Sequence, residues 1–443
     1  MSSVHFPFSD YPPRDRAVSS TSSRPSAYRS STGDASINKD AVEKNLLRSK
    51  IPPPIVASDH SCSFTDRREV MFVLHFVQNL APLIDICDPA HYFGTEVPKK
   101  ALHNPLLSFS ILSFASRDWA LVNAREDEWS TEYCSRALQL LIPALNGPVE
   151  SLDENVFAAI VLLRLYEEMT GKDAVSKPAS DDLTLEPSED ADSGTHLLGS
   201  TRLLNSASSF ACRGGLGEAA SWIVLRQHIY LSISRYQPIR IDLDHYLRSS
   251  SFRDSSPEFL TNRMILLCGR ALSPSHNTQG RFDTEGWDKL HSEVIKWYDS
   301  ISWPLKPNVA PFFVGGDAQS LKSFWVTKPV HVIAYQHFYF AMLLLAVYEP
   351  RNWIPGTEAL LHRSRVEEAI QNNLMMIVSL AISNPKVIVA SLTAHHILLI
   401  YGQFLQEEWH KRAVLDFLRP LSKKSGWPTG QLVMKLQELW PGL

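Results

Sequence analysis

The pattern of apolar residues from about residue 64 to the C-terminus constrains the fold most strongly. Apolar positions recur there with the 3.6-residue period of an α-helix, in one segment after another. Few stretches alternate between apolar and polar residues, as a half-buried strand would. The closest to a strand is "IRIDLDHYL" (239–247), and it is short. The pattern therefore predicts an all-α fold.

Several of the predicted helices carry start signals of their own. Asn104 is a candidate N-cap, and Pro105 follows it at the first helical position. Proline lacks a backbone N–H, but this costs nothing there because the N–H of that position has no partner within the helix. Thr65 is a candidate cap for "DRREVMFVLHFVQNLAPLI", and Ser151 has capping-box spacing to Glu154. Further helices are predicted over 195–209, 217–236, 257–272, 285–300, 329–348, 358–382, 386–409, 410–424 and 428–440.

The chain of 443 residues is predicted to contain one large multi-helix domain, residues 64–443. Residues 1–63 are rich in Ser, Pro and Arg and have no apolar period, so they are predicted to be a disordered arm. Residues 171–194 are acidic and also lack a period, which predicts one long flexible loop within the domain.

The composition and net charge give no indication of nucleic-acid binding. Hydrophobic residues make up 44% of the chain and the net charge is −4, so there is no overall basic field to attract nucleic acid. Two apolar windows, 330–348 and 387–405, approach membrane-spanning length, but both contain polar residues in their middle. We expect buried core helices there and no membrane association. The N-terminus lacks the apolar region of a secretory signal, so no such signal is expected, and the five widely spaced cysteines suit a reducing compartment.

No catalytic signature is present in the sequence. The nucleophile-elbow, zinc-protease, phosphate-loop and dinucleotide-binding motifs are missing, and "CRGGLGEAASW" (212–222) is interpreted as a turn into a helix. His395 and His396 are adjacent on a predicted helix, so their side chains point about 100° apart and are poorly placed to bind one metal ion. We therefore predict no catalytic, cofactor-binding or metal-binding residue and no cofactor.

Six segments in order carry a family resemblance. They are "HFVQNLAPLIDICDPAHYFGTEVPKKALHNPLLSFSILSFASR" (75–117), "AAIVLLRLYEEM" (158–169), "THLLGSTRLLN" (195–205), "EAASWIVLRQHIYLSI" (218–233), "GWDKLHSEVIKWYDSISWPLKP" (286–307) and "SGWPTGQLVMKLQELW" (425–440). Each segment alone is mostly a core pattern, but together they resemble the helical C-terminal regulatory domain of fungal-specific transcription factors. In that family the domain usually follows a binuclear zinc cluster.

The residues that identify this resemblance are predicted to be structural. They are Arg164, Tyr166, Glu167, His196, Gly199, Trp222, Arg226, Gln227, Trp287, Trp297, Trp427 and Trp440. Arg226 lies in an otherwise apolar helix, where a charged side chain is seldom fully buried without a partner. We expect an ion pair with Glu167 or Glu168, with a contact to a small molecule or partner, or plain exposure, as the alternatives.

One feature departs from the family. Its zinc cluster needs six closely spaced cysteines, whereas the first 80 residues here contain a single one, Cys62. We therefore expect no direct DNA binding by this chain. The resemblance implies a nuclear transcriptional regulator or coregulator (a cytoplasmic location stays open), controlling a metabolic or secondary-metabolite gene set. It would act through a zinc-cluster transcription factor or the transcription machinery, and a small-molecule effector is compatible with this role.

Two other functions stay open at this point. The first is a helical ligand-binding module that senses an apolar metabolite. The second is a helical biosynthetic enzyme without a recognisable catalytic motif. We expect the protein not to be an enzyme, because the sequence offers no spacing of carboxylates or histidines that would assemble an active site.

Overall fold

The all-α prediction is confirmed: about 80% of the described residues are helical, and no strand occurs among them. The computed structural model describes residues 64, 66–146, 152–170, 208–235, 239, 241–273, 284–301, 321, 323–324, 326–350 and 356–443. All of the predicted N-terminal arm and all of the predicted acidic loop lie outside these residues. The segment whose sequence comes closest to a strand pattern is 239–247, and residues 243–248 form a 3-10 helix.

The described helices follow the apolar period, whereas the helix predicted over 195–209 lies outside the described residues except for its last two positions. In chain order they are α1 (Arg67–His75), α2 (Ala81–Ile84), α3 (Tyr92–Ala101), α4 (Pro105–Val122), α5 (Ser130–Asn146), α6 (Glu154–Thr170), α7 (Gly215–Arg235), α8 (Pro257–Leu272), α9 (Thr284–Ser300), α10 (Pro329–Val347), α11 (Thr357–Ser383), α12 (Ile388–Tyr401), α13 (Glu408–Leu418), α14 (Leu421–Ser425) and α15 (Gly430–Leu439). A π-helical turn, Phe76–Leu80, joins α1 to α2.

Short polar side chains cap several of these helices. Asn104 caps α4 as predicted, because its side-chain oxygen accepts a backbone N–H at 3.1 Å. Asp66 and Asp153 accept N–H groups in the first turns of α1 and α6. Thr65 and Ser151, the residues predicted for these two roles, lie outside the described residues.

Two predicted helices are interrupted. The helix predicted over 386–409 ends at Tyr401, and a 3-10 turn separates α12 from α13. A Cβ on Gly402 would come within 3.1 Å of Leu436, so α15 packs closely against this turn. The helix predicted over 410–424 divides before Pro420, whose ring and missing N–H oppose a continuous helix.

Helix α7 connects two groups of helices. On one side α4 packs against α1, α3, α5 and α6; on the other α10 packs against α8, α9, α11 and α12. Helix α7 contacts α3 and α6 of the first group and α8 and α12 of the second. A helix between two packed layers has no solvent-facing side, which explains why α7 is apolar almost all round.

The two apolar windows, 330–348 and 387–405, form the core helices α10 and α12, as predicted. Gln336 of α10 is buried, and its Nε2 donates to the carbonyls of Ile377 at 3.1 Å and Ala390 at 2.9 Å. By length and hydropathy alone, the described stretches Arg67–Cys87 and Pro329–Val347 could each cross a bilayer. A core helix meets the same criteria, and 78% of the apolar window of Pro329–Val347 is buried within the protein.

Candidate functional site

Arg226 does not form the predicted ion pair. Its Nη1 lies 3.5 Å from Sγ of Cys87 and its Nη2 lies 3.4 Å from the carbonyl oxygen of Ile84. Among the described residues, no carboxylate oxygen approaches the Arg226 guanidinium within 4.0 Å. Arg226 is therefore held by two long, weak contacts rather than by an interhelical carboxylate.

The two carboxylates predicted as its partners face another arginine. Glu167 and Glu168 lie 3.3 Å and 3.7 Å from Arg164, three and four residues earlier on the same helix, α6. Side chains at these spacings are neighbours on one helix face, so Arg164 reaches both acids without crossing to α7. The predicted ion pair with Arg226 did not take into account that Arg164 competes for the same two carboxylates.

Two cavities lie beside Arg226, and both are lined by it together with Ile84 and Ile223. The first, cavity A, encloses about 200 Å³ and the second, cavity B, about 80 Å³. Cavity A is also lined by Cys87, Asp88, Glu218, Trp222 and Asn262. Cavity B is also lined by Leu165, Glu168, Gln227, Leu392 and Trp427.

Buried polar atoms in the walls of both cavities have no hydrogen-bond partner among the described residues. In cavity A these are Nε1 of Trp222 and Oδ1 of Asn262; in cavity B they are Nε2 and Oε1 of Gln227. The three residues are only 5%, 3% and 8% exposed. Burying an unsatisfied polar group costs about 1–3 kcal/mol, so such groups indicate that a ligand or ordered water completes the site.

The acidic groups of cavity A are already satisfied by backbone N–H groups. Glu218 accepts from the N–H of Gly214 at 3.0 Å and from that of Ser250 at 2.9 Å. Asp88 accepts from two N–H groups at the start of α3, at 2.8 and 3.0 Å. Gly214 and Gly215 have φ values of 77° and 68°, which glycine adopts without strain, and α7 begins directly after this turn. The turn predicted from "CRGGLGEAASW" is thus confirmed.

Asp85, next to Ile84, is another carboxyl group near Arg226. It is 1% exposed, and it accepts the N–H of Phe93 at 3.0 Å and that of Gly94 at 2.7 Å. Burial is the largest effect on this group and raises its pKa to about 7, which the two hydrogen bonds and Arg226 oppose. Both oxygens of Asp85 are therefore occupied by α3, so it is not a counter-charge bound to Arg226.

Three residues with polar groups, Tyr230, Thr393 and His396, also line cavity B. Tyr230 and Thr393 are hydrogen-bond neighbours at 3.3 Å, and the ring of His396 stacks on Tyr230 at 5.0 Å between centroids. Burial lowers the pKa of His396 to about 3 and that of His337 to about 4, so both imidazoles are neutral near pH 7. Within the described ranges, no group of three His, Cys, Asp or Glu residues is placed to hold a metal ion.

The remaining signature residues are dispersed. Trp427 lines cavity B and packs edge-on against Phe114, at 6.4 Å between ring centroids. Trp287 and Trp297 donate from Nε1 to main-chain carbonyls at 3.0 and 2.8 Å, far from the cavities in sequence. Trp440 is 4% exposed in the C-terminal region. Tyr166 is buried in α6, and His196 and Gly199 lie outside the described residues.

The structure therefore brings four of the signature residues to the two cavities: Trp222, Arg226 and Gln227 on α7, and Trp427 from the segment before α15. Sequence reasoning missed Cys87 and Asn262, which complete cavity A. Asn262 donates from Nδ2 to the carbonyl of Cys87, 175 residues away, at 3.2 Å. No local pattern in a single sequence carries a contact of this range.

No family model, curated protein or solved structure matches this chain in the comparisons with known proteins.

Proposed function

We propose that the chain is a ligand-responsive regulatory domain that acts on transcription through a partner protein in the nucleus. The observation that carries the proposal is the pair of cavities at Arg226, whose walls hold buried polar atoms without a described partner. Apolar cavities with a few convergent polar groups are the usual form of small-molecule sites. The regulatory part is supported by the six ordered segments that resemble the fungal-specific regulatory domain.

Binding suits the chemistry of the site better than catalysis does. Burial raises the pKa of the Cys87 thiol to about 11, so this residue is a poor nucleophile near neutral pH. The imidazoles of His337 and His396 are neutral, and their lowered pKa values make them weak bases. The polar groups at these cavities can recognise a ligand, but they are poorly suited to transferring a proton.

The position of the cavities also suits a regulatory role. Trp222, Arg226 and Gln227 are on α7, which contacts helices of both groups. A ligand beside Arg226 would contact α7 together with α2 across cavity A, and α7 together with α6 and α12 across cavity B. Its binding energy would thus bias how these helices pack, which is how a ligand shifts a conformational equilibrium.

A tethered reporter assay in a fungal host tests this function. The full chain is fused to an unrelated DNA-binding module, and reporter output is compared for the wild type, Val389→Phe and Ser364→Phe. Val389 lines cavity B, so a phenyl group there fills the site, whereas Ser364 is an exposed position on α11. We expect the wild type and Ser364→Phe to change reporter output and Val389→Phe to lose the response.

Two further measurements make the result decisive. Circular dichroism melting must show that Val389→Phe remains folded; if it does not, Val389→Leu replaces it. A tagged copy of the chain is also followed in cells, and we expect it in the nucleus and on chromatin when a zinc-cluster partner is present. A fusion that never alters the reporter, together with exclusion from the nucleus in every condition, would overturn the proposal.

A further inference from the structure

The charge on Arg226 is the least compensated feature of the site. A guanidinium group is charged at every pH relevant to proteins, and it offers five N–H donors in a planar fork. Here the contacts of two nitrogens are a thiol at 3.5 Å and a carbonyl oxygen at 3.4 Å. The side chain is half-buried against cavities A and B, where solvent stabilises a charge less well than at an open surface. An anion of the right size would complete this group.

The acids around Arg226 are not available to supply that anion. The oxygens of Asp85 accept from Phe93 and Gly94, and those of Asp88 accept from the start of α3. Glu168 lies 3.7 Å from Arg164. A counter-charge for Arg226 from the described part of the chain would need one of these existing contacts to break.

Cavity B is better suited to an anion than cavity A. Two carboxylates, Asp88 and Glu218, line cavity A and would repel a second negative charge. Glu168 is the acid that lines cavity B, and it is accompanied by Arg164. Cavity B also presents the amide of Gln227, which is 8% exposed and has no partner for either polar atom among the described residues.

The other walls of cavity B define the rest of the ligand. Apart from Tyr230, Thr393 and His396, they are mainly apolar side chains from five parts of the fold, including Leu83, Phe114, Leu165, Val389, Leu392 and Trp427. A molecule that is polar throughout would leave its own groups unpaired against this surface. The enclosed volume of about 80 Å³ holds roughly five water molecules, which limits the enclosed part of the ligand to a small hydrocarbon group.

We infer that Arg226 and Gln227 bind the carboxylate of a small monocarboxylic acid whose aliphatic or aromatic body lies in cavity B. Arg226 donates to the carboxylate oxygens through its fork, and Gln227 donates to one of them from Nε2. The inference rests on the proposed ligand-binding function and specifies the ligand class for it.

Matched acids and amides test the charge requirement. The full-length protein is titrated by isothermal calorimetry with butanoate, hexanoate, octanoate and benzoate, and with the amide of each. Each pair has nearly the same shape but differs in charge. A hydrogen bond to a charged group is stronger than its neutral counterpart, so we expect at least one acid to bind about tenfold or more tightly than its amide.

Variants assign the preference to the two residues. Arg226→Met keeps a long apolar stem without the charge, so we expect the acid-to-amide ratio to fall to about one. Arg226→Lys keeps the charge without the fork, and Gln227→Met removes the amide; both should lower acid affinity by a smaller factor. Arg363→Met on α11, where Arg363 is 76% exposed, is the control and should leave binding unchanged. If Arg226→Met does not fold, Arg226→Lys and Gln227→Met carry the test.

Each outcome decides the inference, and some decide it separately from the proposed function. An acid preference that disappears in Arg226→Met supports it. Equal binding of acids and amides, or an acid preference unchanged in Arg226→Met, overturns it while leaving a ligand-binding domain intact. If none of the four acids binds, the inference also fails, and the reporter experiment with Val389→Phe still decides the proposed function independently.

Discussion

Tyr230 on α7 and His337 on α10 are joined by a hydrogen bond of 3.0 Å between Oη and Nε2. Nδ1 of His337 lies 2.8 Å from the carbonyl oxygen of Ile333, one turn earlier. A carbonyl cannot donate, so Nδ1 carries the proton and Nε2 accepts from the Tyr230 hydroxyl. This assignment requires a neutral imidazole, in agreement with the pKa of His337, which burial lowers to about 4. The bond ties α7 to the second group of helices.

The first prediction concerns this bond. Tyr230→Phe removes the donor and leaves the buried Nε2 of His337 unsatisfied, so we expect the free energy of unfolding to fall by about 1–3 kcal/mol. Tyr335→Phe is the matched control, because Tyr335 is fully buried but its hydroxyl has no described partner. Its removal should be neutral or stabilising. Urea denaturation measures both, and equal losses in the two variants would contradict the role of the hydrogen bond.

The second prediction concerns pH. Burial lowers the pKa of His331, His337 and His395 to about 4 and that of His396 to about 3, from 6.5. Between pH 6.5 and pH 4 the unfolded chain binds protons at these positions and the folded chain does not, so stability falls as pH falls. Asp85 acts in the opposite direction, since its raised pKa of about 7 keeps it protonated in the folded state over this range.

Burial also raises the pKa of Glu69 and Asp88, which act in the same direction as Asp85. We expect the four imidazoles to outweigh these carboxyl groups, so the net slope should follow the histidines. A two-unit shift of one group corresponds to about 3 kcal/mol. We expect the protein to be less stable at pH 5 than at pH 7 in urea denaturation, with a smaller difference in His395→Leu. Stability that is equal at the two pH values, or higher at pH 5, would show that these imidazoles do not stay neutral in the folded protein.

Much of the helical architecture could be predicted because its signals are local. The apolar period places a helix at 257–272, and the structure has one with these bounds. Asn104 and Pro105 mark the start of α4. The break after Tyr401 was missed because its cause is tertiary: residues 402–404 turn where Leu436, more than thirty residues away, packs closely.

The site was harder to predict because its contacts join residues that are far apart in sequence. Arg226 was recognised as unusual because a charge in an apolar helix is conspicuous in sequence. Its contact with Cys87 spans 139 residues, and the cavities arise from packing between helices that no local pattern relates. The spacing of Glu167 and Glu168 from Arg164, three and four residues, predicts that they pair with Arg164. That pairing argues against an ion pair between these acids and Arg226.

The third prediction concerns thiol reactivity. Burial raises the pKa of Cys87 to about 11, and it raises that of Cys268, which is fully buried, still further. Cys134 on α5 is only half-buried. The thiolate is the reactive form, so iodoacetamide at pH 8 should label Cys134 at least about tenfold faster than Cys87 or Cys268, as followed by peptide mass spectrometry. In urea the three rates should converge. Rapid labelling of Cys87 in the folded protein would show that cavity A opens to the reagent.

The fourth prediction compares two glycines near the C-terminus. Gly426 has φ of 70°, and a Cβ there would lie 3.0 Å from Oδ1 of Asp118, whose Oδ2 is 2.7 Å from Nε2 of His75. Gly426→Ala would therefore strain the backbone and displace an Asp118 side chain that is already bonded to α1. We expect the free energy of unfolding to fall by about 1–3 kcal/mol.

Gly430 supplies the opposite case. It is the first residue of α15, and a Cβ there would meet no atom within 4 Å. Gly430→Ala should be neutral or should stabilise the protein by up to about 1 kcal/mol, because alanine loses less backbone freedom on folding than glycine. Thermal unfolding of both variants beside the wild type measures the difference. A shift of the midpoint in the same direction in both variants would show that the close approach of Asp118 does not prevent a side chain at position 426.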